Sequence, residues 1–131
     1  MDRLMIKDFL ILNCIGKNNK IGVCVKKKFY IHELDNKINK NDQLVSNILN
    51  LVKKYKVNLN NKFSIIVNIG PGSFSSIRAS ISVAKGMRIS KNINLYAFKN
   101  TELKQFDLIN IELLISKGRL QNKLIKPIYL S

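Results

Sequence analysis

Residues 63–69 read Phe-Ser-Ile-Ile-Val-Asn-Ile and end abruptly at Gly70-Pro71-Gly72. A run that is apolar almost without interruption suits a strand buried on both faces. Gly70 and Gly72 open backbone angles that other residues resist, and Pro71 fixes φ, so the chain turns sharply there. The pattern beyond the turn predicts a helix from about Ser75 to Ser90, capped by Ser73 or Ser75. A buried strand feeding a helix through a tight elbow, with another strand to follow, is the core of a βαβ unit. It commits the chain to an α/β class with a partly parallel sheet.

The flanking segments extend that sheet. Phe9 to Cys14 is a continuous apolar run and predicts a central strand. Ile21, Val23 and Val25 alternate with small residues, and Lys26-Lys27-Lys28 turns the chain into Phe29 to Leu34, so three strands form an antiparallel meander. After the polar stretch Asn36 to Asn41, a helix from about Asp42 to Lys56 is expected, with Asn41 or Asp42 as its cap. Its apolar residues span roughly 160° of arc, against about 100° for a helix lying on one sheet. The excess falls on Val45, Leu49 and Val52, which need a second surface. Ile93 to Phe98 is a fifth strand, and Asn100-Thr101-Glu102 opens a short helix or turn near Leu103 to Phe106. Leu108 to Ile115 reads as one more strand before a Lys117-Gly118 turn and a basic tail. The order β-β-β-α-β-α-β is that of the ribonuclease H-like fold.

The chemistry such a fold often carries is not written into this chain. Ribonuclease H-like nucleases hold two metal ions with carboxylates at strand ends. Here the end of the first strand is Asn13 and the end of the fourth is Asn68, neutral amides that replace hard-metal ligands poorly. Glu33, Asp35, Asp42, Glu102, Asp107 and Glu112 fall where turns, caps and edges are expected. His32 is the only histidine and lacks an orienting partner in the sequence. Cys14 and Cys24 lie in apolar strands without metal-ligand spacing and read as buried, reduced thiols. No catalytic, metal or cofactor site is expected.

The 131 residues are about one domain's length. They carry 23 basic against 8 acidic residues, a formal net charge of +15. Two readings stay open: a field that draws phosphates or acidic surfaces, or a background rich in Lys, Asn and Ile throughout. Lys7 and Asp8 interrupt the start before a secretory apolar region can form, and no apolar run reaches membrane-spanning length, which points to the cytoplasm.

The elbow itself allows two readings, a plain strand-to-helix turn or a nest of N–H groups open to an anion. Past it, Ala79, Ser82, Val83 and Gly86 form a stripe of small side chains opposite Ile77, Ile81 and Ala84, suited to close helix packing. Gly70-Pro71-Gly72-Ser73-Phe74-Ser75-Ser76-Ile77-Arg78, followed by Ala84-Lys85-Gly86-Met87, resembles the stretch GPGSF(T/S)GLR…AKGL of the TsaB (YeaZ) family. The resemblance covers about residues 8–106, and the closing Pro127-Ile128-Tyr129-Leu130 is similar to the family's Pro-x-Tyr-Leu-Arg end. The chain departs from the family in Leu12-Asn13-Cys14, where Ile-Asp-Thr is usual, and in Ser76, where glycine is usual.

The resemblance implies an actin-like ATPase N-lobe over 1–106, and a second lobe reduced to a strand or hairpin with a basic tail over 107–131. It further implies a non-catalytic scaffold subunit for threonylcarbamoyladenosine formation in tRNA. Such a subunit would pair through its two helices with TsaD, with TsaE joining them and tRNA engaged indirectly. A homodimer is the alternative when the partner is missing. The implied interface comprises Leu44, Val45, Leu49 and Val52 on the first helix and Ala79, Ser82, Val83 and Gly86 on the second. Gly70, Pro71, Gly72, Ser73, Phe74 and Arg78 form the motif elbow. A competing reading of the charge is a basic RNA-binding module of the same fold without nuclease activity.

Overall fold

Alternation along the strands decides the layering. In the computed structural model, which describes residues 6–16, 18–34 and 41–128 but not the side chains of Asn41, Asp42 and Phe74, five strands form one sheet. They are β1 (Asp8–Asn13), β2 (Lys20–Val25), β3 (Lys28–Glu33), β4 (Phe63–Asn68) and β5 (Asn94–Phe98). Their order is β3-β2-β1-β4-β5. The β1–β2 and β2–β3 pairs are antiparallel, whereas β1–β4 and β4–β5 are parallel. This is the mixed five-stranded sheet expected from the sequence.

Leu10, Leu12, Ile65 and Val67 face helices α1 (Asn41–Lys54) and α2 (Phe74–Lys91), which fill their side with Ile48, Leu51, Ile77, Ile81 and Ala84. Phe9, Ile11 and Ile66 alternate to the other face. The cap expected at Asn41 or Asp42, together with Lys17, Asp35, the Asn36–Lys40 stretch and the Tyr129-Leu130 close, lies outside the described residues. No helix among the described residues is long and apolar enough to cross a membrane.

The strand expected over Leu108 to Ile115 is instead a helix, α3 (Leu108–Ser116). Asp107 starts it: its carboxylate accepts from the Asn110 backbone N–H at 2.8 Å, a cap that contributes about 1 kcal/mol. Ile111 and Leu114, three residues apart, are buried against Phe9, Ile11, Ile66 and Phe98. Burying such a side chain is worth roughly 1.5–3 kcal/mol, and as a helix this segment gains it by setting Ile111 and Leu114 on the uncovered face of the sheet. Residues 108–116 therefore cover the face that α1 and α2 leave open. The turn expected near Leu103 to Phe106 is a 3-10 turn at Asn100–Glu102, where the Glu102 carboxylate accepts from the Lys99 N–H at 2.7 Å.

Beyond α3 the chain crosses the β5 edge. The backbone of Gln121 exchanges hydrogen bonds with Ala97 at 2.8 and 2.9 Å, and Ile125 is buried on the α1–α2 side. The Ile128 N–H then donates to the Ile69 carbonyl at 2.8 Å. This strap covers an edge that would otherwise present unpaired backbone groups.

At the opposite edge, Tyr55, just past α1, stacks on Tyr30 of β3 at 4.1 Å, and its hydroxyl lies 2.7 Å from His32 Nε2. Desolvation, with the Lys54 ammonium, holds the His32 pKa below its ordinary 6.5. The folded state therefore binds this proton less readily than the unfolded one, and acidification below about 6.5 weakens the α1–β3 contact. An NMR titration of the imidazole is expected to give a midpoint under 6.5 that moves up to the free value in urea. A midpoint equal in both states would mean that burial and the Lys54 ammonium do not disfavour the charged ring.

Candidate functional site

Two regions answer to the sequence expectations. The first is the end of the sheet where a ribonuclease H-like nuclease would gather carboxylates. Asn68 at the end of β4 is fully buried. Its amide nitrogen donates to Asn13 Oδ1 at the end of β1, 2.7 Å away, and to Asn100 Oδ1 beyond β5 at 3.2 Å. Its oxygen accepts from the Gly70 N–H at 2.8 Å. Three neutral amides thus hold each other where metal-binding chemistry would need oxygen anions.

Among the described residues no group of three or more His, Cys, Asp or Glu could hold a metal ion, and no buried side-chain polar atom lacks a partner. Three of the described acids, Asp8, Glu102 and Asp107, serve structural ends. Asp8 accepts from the Lys26 N–H in the β2–β3 turn at 3.1 Å, while Glu102 closes the 3-10 turn after β5 and Asp107 caps α3. Cys14 and Cys24 are free thiols packed on opposite faces of the sheet. Burial pushes Cys14 up to about 12 and, with Asp8 and Glu112 nearby, Cys24 up to about 11. Neither has thiolate character at neutral pH.

The elbow is locked by its neighbours. Gly70 has φ +100°, and a Cβ there would lie 2.7 Å from Ile77 Cδ1 and 2.8 Å from the Ile128 carbonyl oxygen. A Cβ on Gly72 would meet Ile15 at 2.8 Å. The Ser73 N–H donates to the Ile15 carbonyl at 2.8 Å, and Asn100 N–H to the Gly70 carbonyl at 2.8 Å. With the Gly70 and Ser73 N–H groups engaged inside the protein, the anion-nest reading loses two of its donors. Pro71 and Gly72 are half-buried in this contact, and Ser73 is the N-cap of α2 without a side-chain hydrogen bond into it. The Phe74 side chain lies outside the described residues, and Arg78 sits exposed one turn into α2. What the motif builds is the joint between β4, α2, the β1–β2 loop and the strap.

The second region is the groove between α1 and α2. It has a volume of about 380 Å³ and is lined by Val45 and Leu49 from α1 and by Ser82, Val83, Gly86 and Met87 from α2, among others. Val45 and Leu49 are 38% and 51% exposed. The structure thus brings together five of the eight residues assigned to an interface. Leu44 is a correction: at 8% exposure it belongs to the protein's own core, because it shares the sheet-facing side of α1 with Ile48 and Leu51. Val52 and Ala79 are half-buried against that core and do not line the groove. Ile89, 81% exposed, follows Ser82 and Gly86 at helical spacing but does not line the groove.

A mixed sheet of order 3-2-1-4-5, with α1 and α2 packed on one face, is the arrangement of the ribonuclease H-like fold. Among the solved structures that share it are two from Pseudomonas aeruginosa. YeaZ from Pseudomonas aeruginosa matches with a TM-score of 0.65 at 18% identity, over 73% of this chain and 45% of its own. An uncharacterized Pseudomonas aeruginosa protein with similarity to peptidase YeaZ matches with a TM-score of 0.64 at 17% identity, over 73% of this chain and 44% of its own. The chain thus spans less than half the length of either. No family model and no curated protein matches the sequence.

Proposed function

We propose that this chain is a TsaB-type scaffold subunit, without catalysis of its own, that pairs through α1 and α2 with TsaD in the formation of threonylcarbamoyladenosine in tRNA. The observation that carries this reading is the open α1–α2 groove, where Val45 and Leu49 face the small residues Ser82 and Gly86. Apolar side chains of this size gain by burial, and small residues opposite them let another helix approach closely. The fold shared with YeaZ and the Gly70–Arg78 motif at its joint support the same assignment. The amide cluster puts neutral side chains at the strand ends where a two-metal hydrolase would hold carboxylates. TsaE, as a further member of the assembly, belongs to the same proposal, as does a cytoplasmic location.

The test is size-exclusion chromatography with light scattering on the chain alone and mixed with TsaD of the same organism. A stable complex of one copy each is the expected result. Two unshifted peaks at micromolar concentrations would remove the function while leaving the fold intact.

A further inference from the structure

At the β3 edge, outside the α1–α2 groove, a set of stacked rings meets a group of lysines. Tyr30 and Tyr55 lie face to face with centroids 4.1 Å apart, and the His32 ring is tilted against Tyr55 at 5.6 Å. With Tyr30 against one face of the Tyr55 ring, Lys54 Nζ stands over the ring at 5.4 Å from its centroid. Both tyrosines are half-buried, so part of each ring reaches the surface. Lys28 lies two residues before Tyr30 and so on the same face of the strand. Lys56 follows Tyr55, and Lys26 and Lys27 form the hairpin turn that leads into β3. All of these lysines are exposed.

The described acids do not balance them. Asp8 is engaged by the Lys26 N–H, and Glu33 sits opposite Lys20 in register, alternating to the other face of the sheet. Glu102, Asp107 and Glu112 belong to the 3-10 turn and α3. Packing of α1 on the sheet explains why the rings touch. It does not explain the cations gathered about them, which repel one another and gain only from an anionic ligand. Aromatic faces with cations beside them suit single-stranded RNA, whose unpaired bases stack on rings while its phosphates meet ammonium groups. A duplex keeps its base faces hidden, and an acidic protein has none to offer.

We infer that the β3 edge is a single-stranded RNA site, in which a base stacks on Tyr55 in place of the Lys54 ammonium and the flanking phosphates lie along Lys28, Lys54 and Lys56. The lysines supply affinity that salt weakens, and the ring supplies the preference for unpaired bases. This site goes beyond the docking role proposed above and does not depend on it.

The experiment measures anisotropy of a labelled oligouridylate of about 15 nucleotides on the full chain, beside an RNA duplex of equal length and with polyglutamate as competitor. Binding is expected at 50 mM NaCl and weakens roughly 20-fold by 200 mM, from three phosphate contacts at a logarithmic slope of about −0.7 each. A Lys28→Gln/Lys54→Gln/Lys56→Gln variant loses at least tenfold. A charge-matched Lys104→Gln/Lys117→Gln/Lys123→Gln variant, altered around α3 and the strap, loses less than threefold. Tyr55→Leu loses at least fivefold, whereas Tyr55→Phe, which keeps the ring, loses less than twofold; melting curves check every variant. Equal losses in the two lysine variants overturn the inference, because the attraction then belongs to the whole charge of the chain. Tyr55→Leu that folds and binds like the parent overturns it too, and the lysine comparison decides alone if that variant fails to fold. Duplex bound as tightly as single strand, or polyglutamate displacing the RNA as readily as free oligouridylate, also overturns it, as does absence of binding at 50 mM. None of these outcomes touches the pairing with TsaD, which the mixing experiment reads separately.

Discussion

Asn68→Leu is expected to lower the stability of the domain by about 3 kcal/mol with no change in fold. The two side chains have the same number of heavy atoms and branch alike, so the substitution leaves no cavity, and the greater bulk of leucine at this fully buried site adds crowding to the polar loss. The Gly70 N–H, buried beside the elbow, loses its only described acceptor. A buried donor left without a partner costs about 1–3 kcal/mol. The bonds to Asn13 and Asn100 are lost as well, at about 0.5–1.5 kcal/mol each. Those two amides are half-buried and can turn to water, which trims their share. Against a total stability of about 5–15 kcal/mol for an ordinary domain, this is a large fraction. Urea unfolding measures it, and hydrogen exchange at Gly70 localises it. A variant within 0.5 kcal/mol of the parent, with Gly70 still protected, would show that the amide cluster does not hold the strand ends.

The second large effect concerns association. Gly86→Phe is expected to abolish measurable pairing with TsaD, a loss of more than a hundredfold, while the melting temperature stays within a few degrees of the parent. A Cβ at Gly86 meets nothing within 4 Å, so the larger side chain projects away from the protein's own core. Glycine inside a helix is itself unfavourable by roughly 0.5–1 kcal/mol relative to alanine. Its presence at position 86 thus brings the isolated domain no stability and leaves a gap in the groove wall. Packed helices approach to about 8–10 Å between axes, a distance that an added phenyl ring at the contact forbids. A hundredfold loss corresponds to about 2.7 kcal/mol. Gly86→Ala is the control, with a slightly raised melting temperature and binding reduced by no more than a few-fold. Undiminished binding by Gly86→Phe would place the TsaD contact elsewhere.

The sheet was legible because its central strands are short, nearly unbroken apolar runs separated by polar turns, and each lies within a residue or two of its expected place. Leu108 to Ile115 was not, because Leu-Ile-Asn-Ile-Glu-Leu-Leu-Ile fits a period of two as well as one of three to four. What decides between them is the bare face of the sheet, which exists only once β1 and β4 are paired. Helix α1 shows the same dependence. Its wide apolar arc revealed that two surfaces share the helix, but the arc alone could not say that Leu44 belongs to the inner one and Val45 to the outer. Asn13 and Asn68 were visible as neutral residues at strand ends. Their mutual hydrogen bond and the part of Asn100 were not, since parallel pairing across β4 joins residues 55 and 32 positions apart.

The strap that runs from Gln121 to Ile128 also sets a timetable. Ribosomal synthesis delivers β5 and the elbow well before the segment that secures both. In that interval Ala97 offers its N–H and C=O to any passing strand, and the Ile69 carbonyl waits for Ile128. Contacts so distant in sequence form late and slowly, and an open edge in a nascent chain invites pairing with the wrong neighbour. The β5 edge is therefore covered only after residues 121–128 have emerged, and until then it stays open to mispairing.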